Sequence, residues 1–269
     1  MGFVRHCRGG VVYSSAAELE TPHAFLTRLG GVSRGIYSSL NLSMSAGDDP
    51  AMVRENYRRV AAALSLPSDR FVFSKQVHRT DIRLVSPADC IAPYDPIGYE
   101  ADGLITDIPS LPLIIFTADC IPVLLSDPVS RCVGAVHAGW RGTVENIAGL
   151  AAAKMASAFG ARPENIRAAI GPGIGLCCFE TGAEVPDAVR RLLGAEAEPY
   201  ITCINGRPHV DLKGVNRAVL LRAGLRPEHI FTSPECTMCL PGDYWSHRYT
   251  QGRRGVQGSL IMLKGTMEH

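Results

Sequence analysis

The chain has no long apolar run, no block of like charge, no internal repeat and no low-complexity tract. No stretch approaching ~18 residues is free of both charge and proline, so no membrane-spanning helix is expected. The N-terminal MGFVRHCRGGVVYSS lacks the apolar core of a secretory signal peptide. His6 occupies the position where N-myristoylation wants Ser or Thr. A formal net charge of +1 gives no general attraction for nucleic acid or anionic lipid, so any basic patch must be assembled by the fold. Together these absences point to a cytoplasmic protein with neither a nucleic-acid nor a membrane partner.

The cysteines also lack a pattern. There are nine, an odd number, scattered from Cys7 to Cys239 without the spacing of a secreted disulfide framework. Reduced thiols packed as small apolar side chains are expected. Cys236-Thr-Met-Cys239 is a CxxC with no second CxxC to complete a zinc ribbon. Packing is its first reading, and a redox pair the alternative.

With 269 residues the chain can bury a substantial core. Helical spacing over 51–66 places Val53, Tyr57, Val60, Ala61 and Leu64 on one face, and Pro67 stops it. Further helices are expected over 144–159, ended by Gly160, and over 186–193 and 215–223. Strands are expected over 71–77, 82–85, 101–106, 113–116, 132–136, 166–170, 230–232 and 258–263. Runs such as LIIF and VGAV imply sheets covered on both faces, and the order of elements argues for α+β with mixed sheets.

Chemistry-bearing residues sit at the ends of these strands. His78 follows FVFSKQV, Cys120 follows LIIFTAD, and His137 follows CVGAV. Two imidazoles and a thiolate suit Zn²⁺, and three protein ligands leave a position for water or substrate. The same residues also suit a Cys/His nucleophilic pair, or a buried Cys with two hydrogen-bonded His. Asp119 and Asp102 are candidates to orient a ligand His. Arg28, Arg141 and Arg248 each lie in a loop bearing Gly, Ser or Thr, and Arg is the side chain for bidentate phosphate or carboxylate binding. Gly142-Thr143, at a helix start, would add N–H groups. Gly171-Pro-Gly-Ile-Gly175 is a tight turn or an anion nest. Trp140 is a stacking surface or a core residue.

TADCIPVLL and HAGWRGT resemble the central motifs of the YfiH-like family, also known as the laccase-domain or multicopper-polyphenol-oxidoreductase-like family. TRLGGVSRGIYSSLNL, ADGLIT, IGPGIGLCCFE and SHRYTQGRRG are similar too, so the resemblance spans essentially the whole chain. It implies a single domain over 1–269, an α/β/β/α sandwich similar to the cytotoxic-necrotizing-factor fold. It implies a zinc site on His78, Cys120 and His137, with Arg28, Arg141 and Arg248 as the family's arginines. One position departs: Arg79 stands where the family has glycine after QVH, placing a bulky cation beside a ligand.

The implied activity is purine nucleoside phosphorolysis (adenosine, inosine, methylthioadenosine) with accompanying adenosine deamination, by a monomer that takes purine nucleoside and phosphate. Catalysis would rest on Cys120, His137 and Asp119. The Glu of the HxE zinc-deaminase pattern is missing, which leaves the general acid or base unassigned. The alternative is a zinc or Cys/His amidase editing a peptidoglycan precursor. Copper-dependent polyphenol oxidation ranks below both, because eight His with no HxH pair is a poor set for several Cu²⁺ ions.

Overall fold

Successive side chains of a strand point to opposite faces, and here each face meets a different partner. In the computed structural model, which describes residues 2–265, the elements run as follows. The first part contains β1 (Phe3–Arg8), β2 (Val11–Ala16), β3 (His23–Leu26), α1 (Pro50–Ala63), β4 (Phe71–Val72), β5 (Ile82–Leu84), β6 (Cys90–Ile91) and β7 (Gly103–Thr106). The centre contains β8 (Leu113–Thr117), β9 (Ile121–Asp127), β10 (Cys132–Ala138), α2 (Trp140–Val144), α3 (Ile147–Phe159) and β11 (Arg167–Ile170). The last part contains α4 (Glu184–Leu193), β12 (Ile201–Ile204), β13 (Arg207–Val210), α5 (Leu212–Arg222), β14 (Ile230–Thr232), α6 (His247–Thr250) and β15 (Gln257–Ile261).

One sheet has the order β1-β2-β3-β15-β8-β4-β6, the other β14-β11-β9-β10-β7-β5, and β12-β13 form a small ribbon. Both large sheets are mixed: β4–β8, β11–β14 and β5–β7 are parallel, within otherwise antiparallel ladders.

Alternation then builds four layers. From β8, Leu113 and Ile115 face Leu124 of β9 and Val133 and Ala135 of β10, forming the core between the sheets. Ile114, between them, turns outward to Val53, Tyr57 and Val60 of α1. On the second sheet Ile121, Val123, Leu125 and Val136 turn outward to α3, α4 and α5. The order is α1, first sheet, second sheet, α3–α5: an α/β/β/α sandwich, as expected.

Several elements differ from the sequence reading. The strand expected over 71–77 ends at Val72, because the chain leaves the sheet to carry His78. The helix expected over 144–159 starts at Ile147 as α3, because Asn146 at φ +65 separates it from the short α2 before it. Strands β1, β2, β3, β6, β9, β12 and β13 and the short helix α6 were not expected. β9 is a central strand with every residue buried, and Pro122 near its start hides it from a propensity reading.

Candidate active site

Cys120 lies in the tight turn between β8 and β9, where the chain crosses from one sheet to the other. His137 lies near the end of the neighbouring strand β10, its Cα opposite Pro122. His78 arrives from the loop after β4 with φ +61. The ligand atoms of the three lie within 4.8 Å of one another. Cys120 Sγ is 3.9 Å from His78 Nε2, and the two imidazole rings stand edge to face with centroids 4.8 Å apart.

One carboxylate holds this arrangement. Asp102 is fully buried and accepts the ring N–H of His137 Nδ1 at 2.8 Å. It also accepts the successive backbone N–H groups of Val77, His78 and Arg79 at 3.0, 3.0 and 2.9 Å. A single side chain therefore orients one imidazole and pins the left-handed turn that presents the other. Burial opposes its charge, but His137 and these N–H donors outweigh burial and hold the carboxyl below its ordinary range.

Burial likewise works against a charged Cys120 and a charged His137, yet each stabilises the other. The imidazolium and the hydrogen bonds from both histidines bring the thiol down to about 6. The thiolate, with Asp102, raises His137 to about 9. Two nitrogens and an electron-rich sulfur on one small triangle fit a single divalent ion. Gly139 keeps the triangle tight, because a Cβ there would lie 2.9 Å from His78 and 3.4 Å from Cys120 Sγ.

Two chambers meet at this triangle. The larger, about 410 Å³, is lined by Met44, Ile97, Phe116, Lys75, Gln76 and Arg254 together with His78, Cys120 and His137. The smaller, about 260 Å³, lies across His78 and Cys120 and is lined by Trp140, Phe179, His247, Arg248 and Arg254. Volumes of this order suit a small organic ligand.

The three arginines expected from sequence do not converge. Arg248 lines the smaller chamber and donates to the Glu180 carbonyl at 2.9 Å. Arg28 lines neither chamber; its guanidinium stacks on Trp245 and donates to the carbonyls of Ser38 and Pro241. Arg141 is exposed and folds over Trp140. The residue the sequence reading missed is Arg254, which borders both chambers and has a buried Nε without a partner. Its signal was the second Arg of GRRG.

Other expectations resolve as geometry. Asp119, at φ +90, accepts the Thr237 hydroxyl and the Arg248 backbone N–H, each at 2.7 Å, so both its oxygens are engaged in scaffolding. The Thr143 N–H bonds to the Gly139 carbonyl and is not free for an anion. Gly171–Gly175 is a turn whose N–H groups at 171, 174 and 175 bond within the protein, so it is no nest. Arg79 points outward, 3.7 Å from Glu100, and lines neither chamber. Cys177 and Cys178 lie outside the triangle, in a separate cluster with Cys236 and Cys239.

The family model described as "Multi-copper polyphenol oxidoreductase laccase" matches residues 22–264. The chain belongs to this family. Among family members, a Deinococcus radiodurans protein named purine nucleoside phosphorylase is 39% identical over 254 residues, covering 94% of each chain. The crystal structure of YlmD from Geobacillus stearothermophilus superposes with a TM-score of 0.90 at 34% identity, covering 98% of this chain and 99% of that one. The hypothetical protein YfiH of Bacillus licheniformis gives 0.89 at 34% identity, covering 95% and 97%. Among the described residues, no helix is long and apolar enough to cross a membrane.

Proposed function

We propose that the chain is a zinc-dependent purine nucleoside phosphorylase, using His78, Cys120 and His137 as metal ligands. The observation that carries this reading is the pair of chambers joined at the triangle, with Arg248 and Arg254 bordering the smaller one. The name of the Deinococcus relative agrees with it.

Phosphorolysis breaks the C1′–N9 bond as a phosphate oxygen bonds to C1′, and the electron pair leaves with the purine. In this reading Arg248 and Arg254, which both line the smaller chamber, hold phosphate there. Met44, Ile97 and Phe116 give the purine an apolar bed in the larger chamber. Asp102 keeps His137 in one tautomer and orientation. Zinc held by His78, Cys120 and His137 would supply Lewis-acid positive charge. Asp119 serves as a positioning residue rather than a general base. Among the residues lining the chambers no other carboxylate is present, which places adenosine deamination second to phosphorolysis.

A zinc or Cys/His amidase is the competing reading, favoured by one observation. Without metal, Cys120, His137 and Asp102 form a thiolate, imidazolium and carboxylate in sequence, the order of a cysteine-hydrolase triad. Copper oxidation draws less support, since only two histidines converge among the described residues.

The deciding assay incubates adenosine, inosine and methylthioadenosine with metal-verified protein, with and without phosphate. Free base released only with phosphate, and lost in His137→Ala, is the expected result. No turnover of any nucleoside by zinc-loaded protein would transfer the assignment to the amidase.

A further inference from the structure

Away from the active-site triangle, four cysteines from two distant segments converge. Cys177 and Cys178 end the turn after β11, and Cys236 and Cys239 lie in the loop after β14. Their four Sγ atoms lie within 4.8 Å of one another, with Cys239 at 3.6 Å from Cys177 and 3.4 Å from Cys178. All four are free thiols. A tetrahedron of sulfurs about 2.3 Å from a central zinc has edges of about 3.8 Å, so the cluster needs little adjustment to close on one ion.

We propose that Cys177, Cys178, Cys236 and Cys239 form a second metal site, a closed tetrathiolate that binds zinc and locks two loops behind the active site. Closed four-ligand sets with CxxC spacing are the form of structural zinc, and thiolates select zinc over harder divalent ions. Each thiol yields its proton to solvent as its bond to the metal forms.

Two neighbouring groups can stabilise negative charge on the cluster. The Gly175 N–H donates to Cys236 Sγ at 3.2 Å. Gly175 is also the residue that leaves room, because a Cβ there would lie 3.2 Å from Cys236 Cβ and 3.3 Å from Cys177 Sγ. Four thiolates on one divalent ion carry two net negative charges, and Lys213 is a cation at the right place. It is buried, donates to the carbonyls of Ser233 at 2.8 Å and Glu235 at 3.1 Å, and interacts with the charges of Cys177 and Cys236.

The site also has a structural task. Gly173 pairs with Cys236 as an isolated β-bridge, and the Thr237 N–H bonds to the Gly173 carbonyl. The Thr237 hydroxyl and the Ile174 N–H both reach Asp119, the residue before Cys120. A metal joining the two loops would fix the backbone behind that turn. The proposal does not depend on the phosphorylase reading.

The test is metal content by mass spectrometry on protein prepared with zinc and reductant. Two equivalents are expected in the wild type, one in Cys120→Ala, one in Cys239→Ser and none in the double variant. Because Cys239→Ser is open to misfolding, cobalt(II) is also loaded into Cys120→Ala, where the red d–d bands and sulfur-to-cobalt charge transfer of a tetrathiolate are expected. A metal-free Cys120→Ala without these bands would overturn the proposal. So would a disulfide among the four in freshly reduced protein. Wild type with one equivalent that only Cys239→Ser removes would keep this site and refute the active-site metal instead.

Discussion

Asp102 concentrates more consequence than any other side chain near the active-site triangle, because His137 and three backbone N–H groups all converge on it. Asp102→Ala would leave those donors buried and unpaired, a loss expected at roughly 3–5 kcal/mol, read from urea midpoints. The pH dependence has a definite sign. Its folded pKa is depressed, so its contribution is fully present above the ordinary carboxylate value of about 3.9 and lost as pH falls through the lower folded value. Wild-type stability should therefore drop steeply below about pH 4, and Asp102→Asn should flatten that limb. Arg254→Ala is expected to raise the KM for phosphate at least tenfold while leaving zinc content unchanged. An unchanged KM would remove Arg254 from the phosphate site. In metal-depleted protein, alkylation of Cys120 by iodoacetamide should rise with a midpoint near pH 6, where an ordinary thiol requires about 8.5. Zinc should protect it.

The elements show why these side chains meet. α1 was legible because its apolar positions recur at helical spacing; the structure adds its cap, Asp49, which accepts the Ala51 N–H. Its buried Asn56 was not singled out, yet it accepts the Val32 N–H at 2.8 Å and donates to Ser33 Oγ and to the carbonyls of Ser39 and Asn41. That side chain moors loop 31–41, which leads into Leu42–Ser45 on the wall of the larger chamber. Asn56→Ala should cost about 2–4 kcal/mol through unsatisfied buried groups, and should raise the nucleoside KM more than it lowers kcat. The β1–β2 hairpin had a readable signal that was passed over: Gly9-Gly10, both at positive φ, between two alternating runs. The break between α2 and α3 had none, since nothing local to Asn146 requires its left-handed conformation.

For the whole molecule, the four-layer sandwich explains where the active site sits. Cys120 occupies the turn joining the two sheets, so both sheets contribute to one cleft. If metal fills both cysteine-containing sites, chelation should lower the Tm by several degrees, and added zinc should restore it in a concentration-dependent way. A Tm indifferent to chelator and zinc would contradict both sites. The sequence by itself determined the layered α+β class, the four longer helices and about half of the strands, since hydrophobic period is a local property. It also singled out His78, Cys120, His137 and Asp102, because each adjoins a strand and carries a motif. Only the tertiary structure decided which arginines face the cleft, separating Arg248 and Arg254 from Arg28 and Arg141. It alone paired Cys177 and Cys178 with Cys236 and Cys239, some 60 residues apart. Side-chain direction and long-range loop contact are set by the packing of two sheets, and neither leaves a periodic trace in the chain.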